Sequence, residues 1–134
     1  TRIGTARIGG AYAWRSLRRA GARMALNSDL PATDYSIFYG LHSAVTRTDK
    51  QGNPAGGWRK NEVLRIEEAV RGWTSWAAYA EFREQEIGSI AGGREASLTV
   101  MNLDPFDVGV KNPHRLLDGK IVMTIVAGKI MGNQ

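Results

Sequence analysis

The hydrophobic pattern of this chain changes period once, near Gly88, and that change restricts the possible folds more than any other feature. Upstream, apolar residues recur at the three-and-four spacing of helices that face a core; downstream they alternate, as along half-buried strands. Residues 11–20 read as an amphipathic helix, with Tyr12, Ala13, Trp14, Leu17 and Ala20 on one face and Arg15, Arg18 and Arg19 opposite. Gly21 suits a left-handed helix cap. A short apolar run, Ala22 to Leu26, has strand length and ends at Asn27-Ser28-Asp29 before Pro31. Helix, glycine and buried strand in that order form one half-unit of a parallel α/β fold. Asp34 to Ser36 reads as a loop and helix cap, opening a helix from Ile37 to Val45, and Thr46 to Gly57 reads as an exposed loop. Helical spacing resumes at Ile66, Ala69, Val70, Trp73, Ala77 and Ala80, with a break expected at Gly72-Trp73-Thr74.

Beyond Gly88, Gly92-Gly93 signals a turn, and Ala96 to Leu103 alternates as a strand that Asp104-Pro105 stops. Ile121 to Val126 and Lys129 to Met131 read as two more strands joined at Ala127-Gly128. The expectation is therefore two partial units, 1–87 and 88–134, neither large enough to bury much core unaided.

Composition narrows the chemistry. Cysteine is absent, which excludes disulfide scaffolds, thiolate metal sites and a cysteine nucleophile. Two histidines, His42 and His114, make a self-contained imidazole metal centre improbable on count alone. No apolar run approaches the roughly 20 residues of a membrane span, and no signal-like segment opens the chain. The chain starts at Thr1 without methionine, which reads as processing or a cut. The net charge is +5, and six arginines precede the first acid, Asp29. Tyr12 and Trp14 lie within that run, but no second recognition helix follows, so it reads as a solvated or inter-domain helix face rather than a nucleic-acid site.

Asp29 is the leading candidate for chemistry. In parallel α/β folds ligands bind at the carboxyl ends of strands; the alternative for an acid between a strand and a proline is a turn or cap. His42, on a helix, reads as structural, and His114 as a surface loop residue. Arg47 reads either as a carboxylate clamp between elements or as a substrate contact. Glu67 and Glu68 are adjacent on a helix and share no face, so they suit the first turn and its dipole instead of paired acid–base work. Trp14, Trp58, Trp73 and Trp76 read as core or interface, and Gly88 to Gly93 lacks phosphate-loop spacing.

A series of modest motifs in order then carries a resemblance. It runs Arg15-Ser16-Leu17, Ala20-Gly21-Ala22, Asn27-Ser28-Asp29-Leu30-Pro31, Ala44-Val45-Thr46-Arg47, and Ile66 to Val70 with Trp73-Thr74 and Ala77-Ala78-Tyr79. It continues through Gly88-Ser89-Ile90 and Gly93 to Leu103-Asp104-Pro105 and Thr124 to Lys129. In these residues the chain resembles the C-terminal part of the metal-dependent amidohydrolases related to N-substituted formamide deformylases and exoenzyme regulatory proteins. The resemblance implies a much longer, cytoplasmic enzyme that joins a distorted (β/α)8 barrel to a small β-sandwich. Residues 1–87 would then be the last αβα elements of the barrel and residues 88–134 the closing strands of the sandwich.

By that resemblance, Asp29 sits beside a divalent metal, zinc in this reading, as a ligand, and shuttles a proton during hydrolysis of a small amide-type substrate at a non-peptide carbon–nitrogen bond. The His-x-His pair, bridging lysine and remaining histidines would lie upstream, so the stretch alone is expected to be inactive. The sequence departs from the pattern at Asn27, where glycine commonly precedes Ser-Asp, and at Ser97, where an acid usually opens the strand. Two other readings stand beside it: a non-catalytic regulatory or interaction protein with a basic surface, and a short protein that forms a homo-oligomer. Neither a nucleic-acid nor a membrane partner is expected.

Overall fold

The computed structural model describes residues 3–133; Thr1 and Arg2, where the arginine-rich stretch begins, lie outside them. Along the chain run α1 (Trp14–Arg19), α2 (Ile37–Thr46), α3 (Ile66–Trp73), α4 (Ser75–Ala80), β1 (Leu98–Met101), α5 (Pro105–Lys111), β2 (Ile121–Val126) and β3 (Lys129–Asn133). Short 3-10 turns occupy Thr5–Gly10, Lys60–Glu62 and Pro113–Asp118. The architecture is mixed α/β with one small antiparallel sheet, ordered β1-β2-β3. No helix among the described residues is long and apolar enough to cross a membrane.

The helices downstream of Pro31 form where their signals stand. Ser36 Oγ accepts the Tyr39 N–H at 3.4 Å to open α2, which closes on left-handed Arg47. Glu67 and Glu68 do occupy the first turn of α3, and the Glu68 carboxylate accepts the Arg65 N–H at 2.9 Å. Thr74, at φ −129° and ψ −97°, breaks the helical path between α3 and α4.

Two upstream expectations need correction. The first helix is confined to Trp14–Arg19, and its faces are mixed: Trp14 packs against the core and Arg19 is exposed as expected, but Tyr12 and Leu17 are 65% and 49% exposed, while Arg15 and Arg18 turn inward. The cause is Glu68, whose carboxylate meets Arg15 Nη1 at 2.8 Å and Arg18 Nε at 3.5 Å. Residues 22–26 are extended but form no strand, because no neighbouring strand among the described residues supplies a ladder. Leu26 instead donates its N–H to Gly72 O at 2.9 Å, on α3. Its side chain seats so tightly there that a Cβ on Gly72 would lie 2.6 Å from it. Ala22, Met24, Leu26 and Ser28 are half-buried, and Arg23, Ala25, Asn27 and Asp29 are exposed, so the period of two survives without the sheet.

The core gathers Leu41 and Ala44 of α2, Leu64, Ile66 and Ala69 of α3 and its lead-in, and Leu116 of the last 3-10 turn. Met24, Leu26, Trp73, Leu103 and Val108 pack around it. At the C-terminal end the three expected strands are present, β1 being shorter than the alternating run that announced it. Ala127 and Gly128, at φ 48° and 79°, make the two-residue hairpin turn whose central residues both need positive φ. Asp104-Pro105 does end the β1 region, but it also starts α5, which the alternation did not foretell. Asp104 accepts the N–H groups of Phe106 and Asp107 at 2.8 and 3.3 Å, and Pro105 stands at the first helical turn, where a missing N–H does no harm.

Candidate active site

Asp29 stands where the extended segment 22–28 ends, on the side turned away from the helices. Its backbone is left-handed, at φ 53°. Three contacts fix that bend: Asn27 Oδ1 accepts the Asp29 N–H at 2.8 Å, Asp29 O accepts the Ala32 N–H at 2.7 Å, and the Thr33 hydroxyl donates to Ser28 O. An exposed carboxylate on a pinned loop can accept a proton or provide one metal-ligand position. Among the described residues no group of three or more His, Asp or Glu side chains converges to hold a metal ion. Asp29 therefore suits one position in such a donor set and no more.

The other candidates lie elsewhere, in two separate clusters. Arg47 is buried, 8% exposed, and its guanidinium lies over the rings of Trp14 and Trp58 at 4.5 and 4.9 Å. It donates from Nε to Trp58 O at 2.7 Å and from Nη1 to Tyr12 O at 3.1 Å. Burial and the nearby Arg59 pull the guanidinium below its ordinary range, against Glu62 and Tyr12. Arg47 thus holds three chain segments together, through carbonyls and indole rings where the clamp reading expects a carboxylate. The Thr46 to Gly57 loop is largely exposed but is anchored at this buried end.

Beside that clamp is a cluster that no local motif announced. Glu62 is 4% exposed and accepts the Ser16 N–H and hydroxyl at 2.9 and 2.8 Å, with Arg59 Nη2 3.6 Å away. The Ser16 N–H and hydroxyl hold its carboxyl below the ordinary value, against burial, with Arg59 assisting. Burial pushes the Glu68 carboxyl up, but the Arg65 N–H together with Arg15 and Arg18 leave it below its ordinary value. Much of the positive charge is therefore committed internally: Arg15 and Arg18 to Glu68, Arg47 and Arg59 to backbone carbonyls. The spacing of these residues, more than forty positions apart for Ser16 and Glu62, is what hid the cluster from the sequence.

His42 is fully buried in α2, and His114 is exposed in the 113–118 turn, as their structural and surface readings expect. The two rings nevertheless meet, 5.4 Å between centroids.

With this geometry in place, comparison with known proteins gives a consistent result. The profile of the amidohydrolase family matches residues 1–131. A Bacillus subtilis protein named as the amidohydrolase YtcJ is 31% identical over 130 residues, which is 97% of this chain and 24% of that protein. The N-substituted formamide deformylase of Arthrobacter pascens is 38% identical over 93 residues, 69% of this chain and 17% of that enzyme. The chain thus spans a quarter or less of these relatives. Among solved structures, an amidohydrolase from Thermotoga maritima superimposes with a TM-score of 0.60 at 19% identity, covering 92% of this chain and 26% of its own. Sequence and fold agree, and the chain belongs to the amidohydrolase family.

Proposed function

We propose that this chain is the C-terminal part of a cytoplasmic, metal-dependent amidohydrolase that opens a carbon–nitrogen bond other than a peptide bond in a small amide-type substrate, with Asp29 carrying the proton. The observation that supports this role is the placement of Asp29: it ends the extended segment, faces away from the helical layer and is fixed there by Asn27. In this reading residues 1–87 close a (β/α)8 barrel and residues 88–134 contribute strands to a sandwich. The 26% coverage of the Thermotoga structure at a shared fold supports a longer chain of which this is one piece.

The chemistry then follows from what an amide requires. Its carbonyl resists attack by neutral water, and a bound divalent metal, read here as zinc, lowers the pKa of that water. As the water oxygen bonds to the carbonyl carbon, its proton passes to the Asp29 carboxylate. When the carbon–nitrogen bond breaks, Asp29 returns that proton to the departing nitrogen, so the carboxylate ends the cycle as it began. Further metal ligands belong to other parts of the longer protein, and the 134-residue chain alone is inactive.

The test is Asp29→Asn in the complete enzyme. Turnover is expected to fall by about 10²- to 10⁴-fold, the range for a lost proton-transfer group. An unchanged rate removes Asp29 from the mechanism.

A further inference from the structure

His42 is a titratable group that the proposed hydrolysis leaves idle. It has no solvent exposure, and neither Nδ1 nor Nε2 has a hydrogen-bond partner among the described residues. That is unusual for a buried polar side chain, which nearly always finds one. The ring is enclosed by other rings: Tyr39 stacks on it at 6.3 Å from the preceding turn of α2, and His114 stands edge-on at 5.4 Å. The His42–His114 contact lies on the seam where the 113–118 turn packs against α2. Leu116 of that turn is fully buried, and at Gly119 a Cβ would fall 2.1 Å from the Phe38 ring.

The charges around His42 favour its neutral form. His114 faces it from the turn, and Lys60, from the 60–62 turn, lines the same cavity of about 330 Å³ beside the seam. Asp49, in the loop after α2, is the anion that acts on it, and Tyr39 is the titratable group on its own helix. Burial first, and then His114, hold the imidazole below its ordinary value of 6.5, while Asp49 pulls the other way. A proton added to His42 would be a buried charge beside a second imidazole, with no acceptor placed for it among the described residues.

We propose that the His42–His114 seam is an acid-labile latch: protonation opens the contact between α2 and the 113–118 turn. Because the folded imidazole binds protons less readily than the freed one, the latch is fully closed above about pH 6.5 and weakens as the pH falls through the folded value.

The test uses amide hydrogen exchange of residues 113–118, corrected for intrinsic rates, in the 134-residue chain. Two histidines make the imidazole NMR signals easy to follow in parallel. From about pH 7.5 to about pH 5 the opening constant is expected to rise, by at most about thirtyfold, the ceiling for one proton with a freed value near 6.5. His42→Phe keeps an aromatic ring and removes the titration, so the rise should vanish. His114→Asn alters an exposed residue, removes the imidazole that lowers the folded value of His42, and should make the rise smaller. An opening constant that ignores pH, or the same rise in His42→Phe, overturns the proposal. Should His42→Phe fail to fold, an acid rise that is no smaller in His114→Asn overturns it alone.

Discussion

The Asp29 amide donates its hydrogen to Asn27 Oδ1 at 2.8 Å, closing a turn in which Asp29 itself is left-handed. A non-glycine residue in that region is uncommon, though Asp tolerates it better than most. The Asn27 side chain thus holds the proposed proton carrier in place. Asn27→Ala removes the acceptor without touching the carboxylate. In the complete hydrolase it is expected to lower kcat/KM by about tenfold through loosened positioning. Asn27→Asp keeps an oxygen in the same place and should retain most of the activity. Equal losses for the two variants in steady-state kinetics would show that the hydrogen bond does not matter.

Arg47 makes its contacts through the shape of guanidinium as much as through its charge. A planar group can lie over Trp14 and Trp58 and still donate to two carbonyls. The ammonium of lysine cannot do both. Arg47→Lys is expected to destabilise the chain by about 2 kcal/mol, given roughly 0.5–2 kcal/mol for each partly desolvated cation–π contact. Urea unfolding followed by tryptophan fluorescence measures this directly, since two of the four tryptophans line the clamp. A change below about 0.5 kcal/mol, the usual surface value, would mean that the cage is incidental.

Glu62 predicts a second acid response, at lower pH than the histidine seam. Its folded carboxyl lies below its ordinary value of 4.5, chiefly because of the Ser16 N–H and hydroxyl. The stability it provides is therefore complete above that value and is lost as the pH falls through the folded one. Denaturation midpoints measured across that range should decline, and Glu62→Gln should flatten the decline. A variant with the same slope as the parent would assign acid sensitivity to other carboxylates.

Much of this was legible in sequence where the signals are local. Ser36 as a cap, the break at Thr74, the first-turn acids Glu67 and Glu68 and the turn at Ala127-Gly128 depend on neighbours within a few residues, and each is found in place. The resemblance was carried by short motifs in order, and family membership follows from the same residues. What failed was long-range. Nothing near Leu17 reveals that Glu68 lies beneath Arg15, so helical periodicity misplaces Leu17, Arg15 and Arg18 although it places Trp14 and Arg19 rightly. The run from Ala22 to Leu26 has strand composition, but a strand is defined by its neighbour, and the described residues hold none for it. Helix α5 was missed because Asp104-Pro105 both stops a strand and caps a helix, and the alternation before it drew the eye. For the site, the bend at Asp29 was readable from its flanking residues, whereas the meeting of His42 with His114 had no local trace.

Leu116 completes the hydrophobic centre formed by Leu41, Leu64, Ile66 and Ala69, although it lies beyond β1 and α5 in the chain. During synthesis the helices therefore emerge first and wait with their inner surface open until the 113–118 turn has left the ribosome. A nascent chain with only α4 clear of the exit tunnel would present that uncovered surface to chaperones, whereas one with the 113–118 turn clear of it would carry a helical layer already closed.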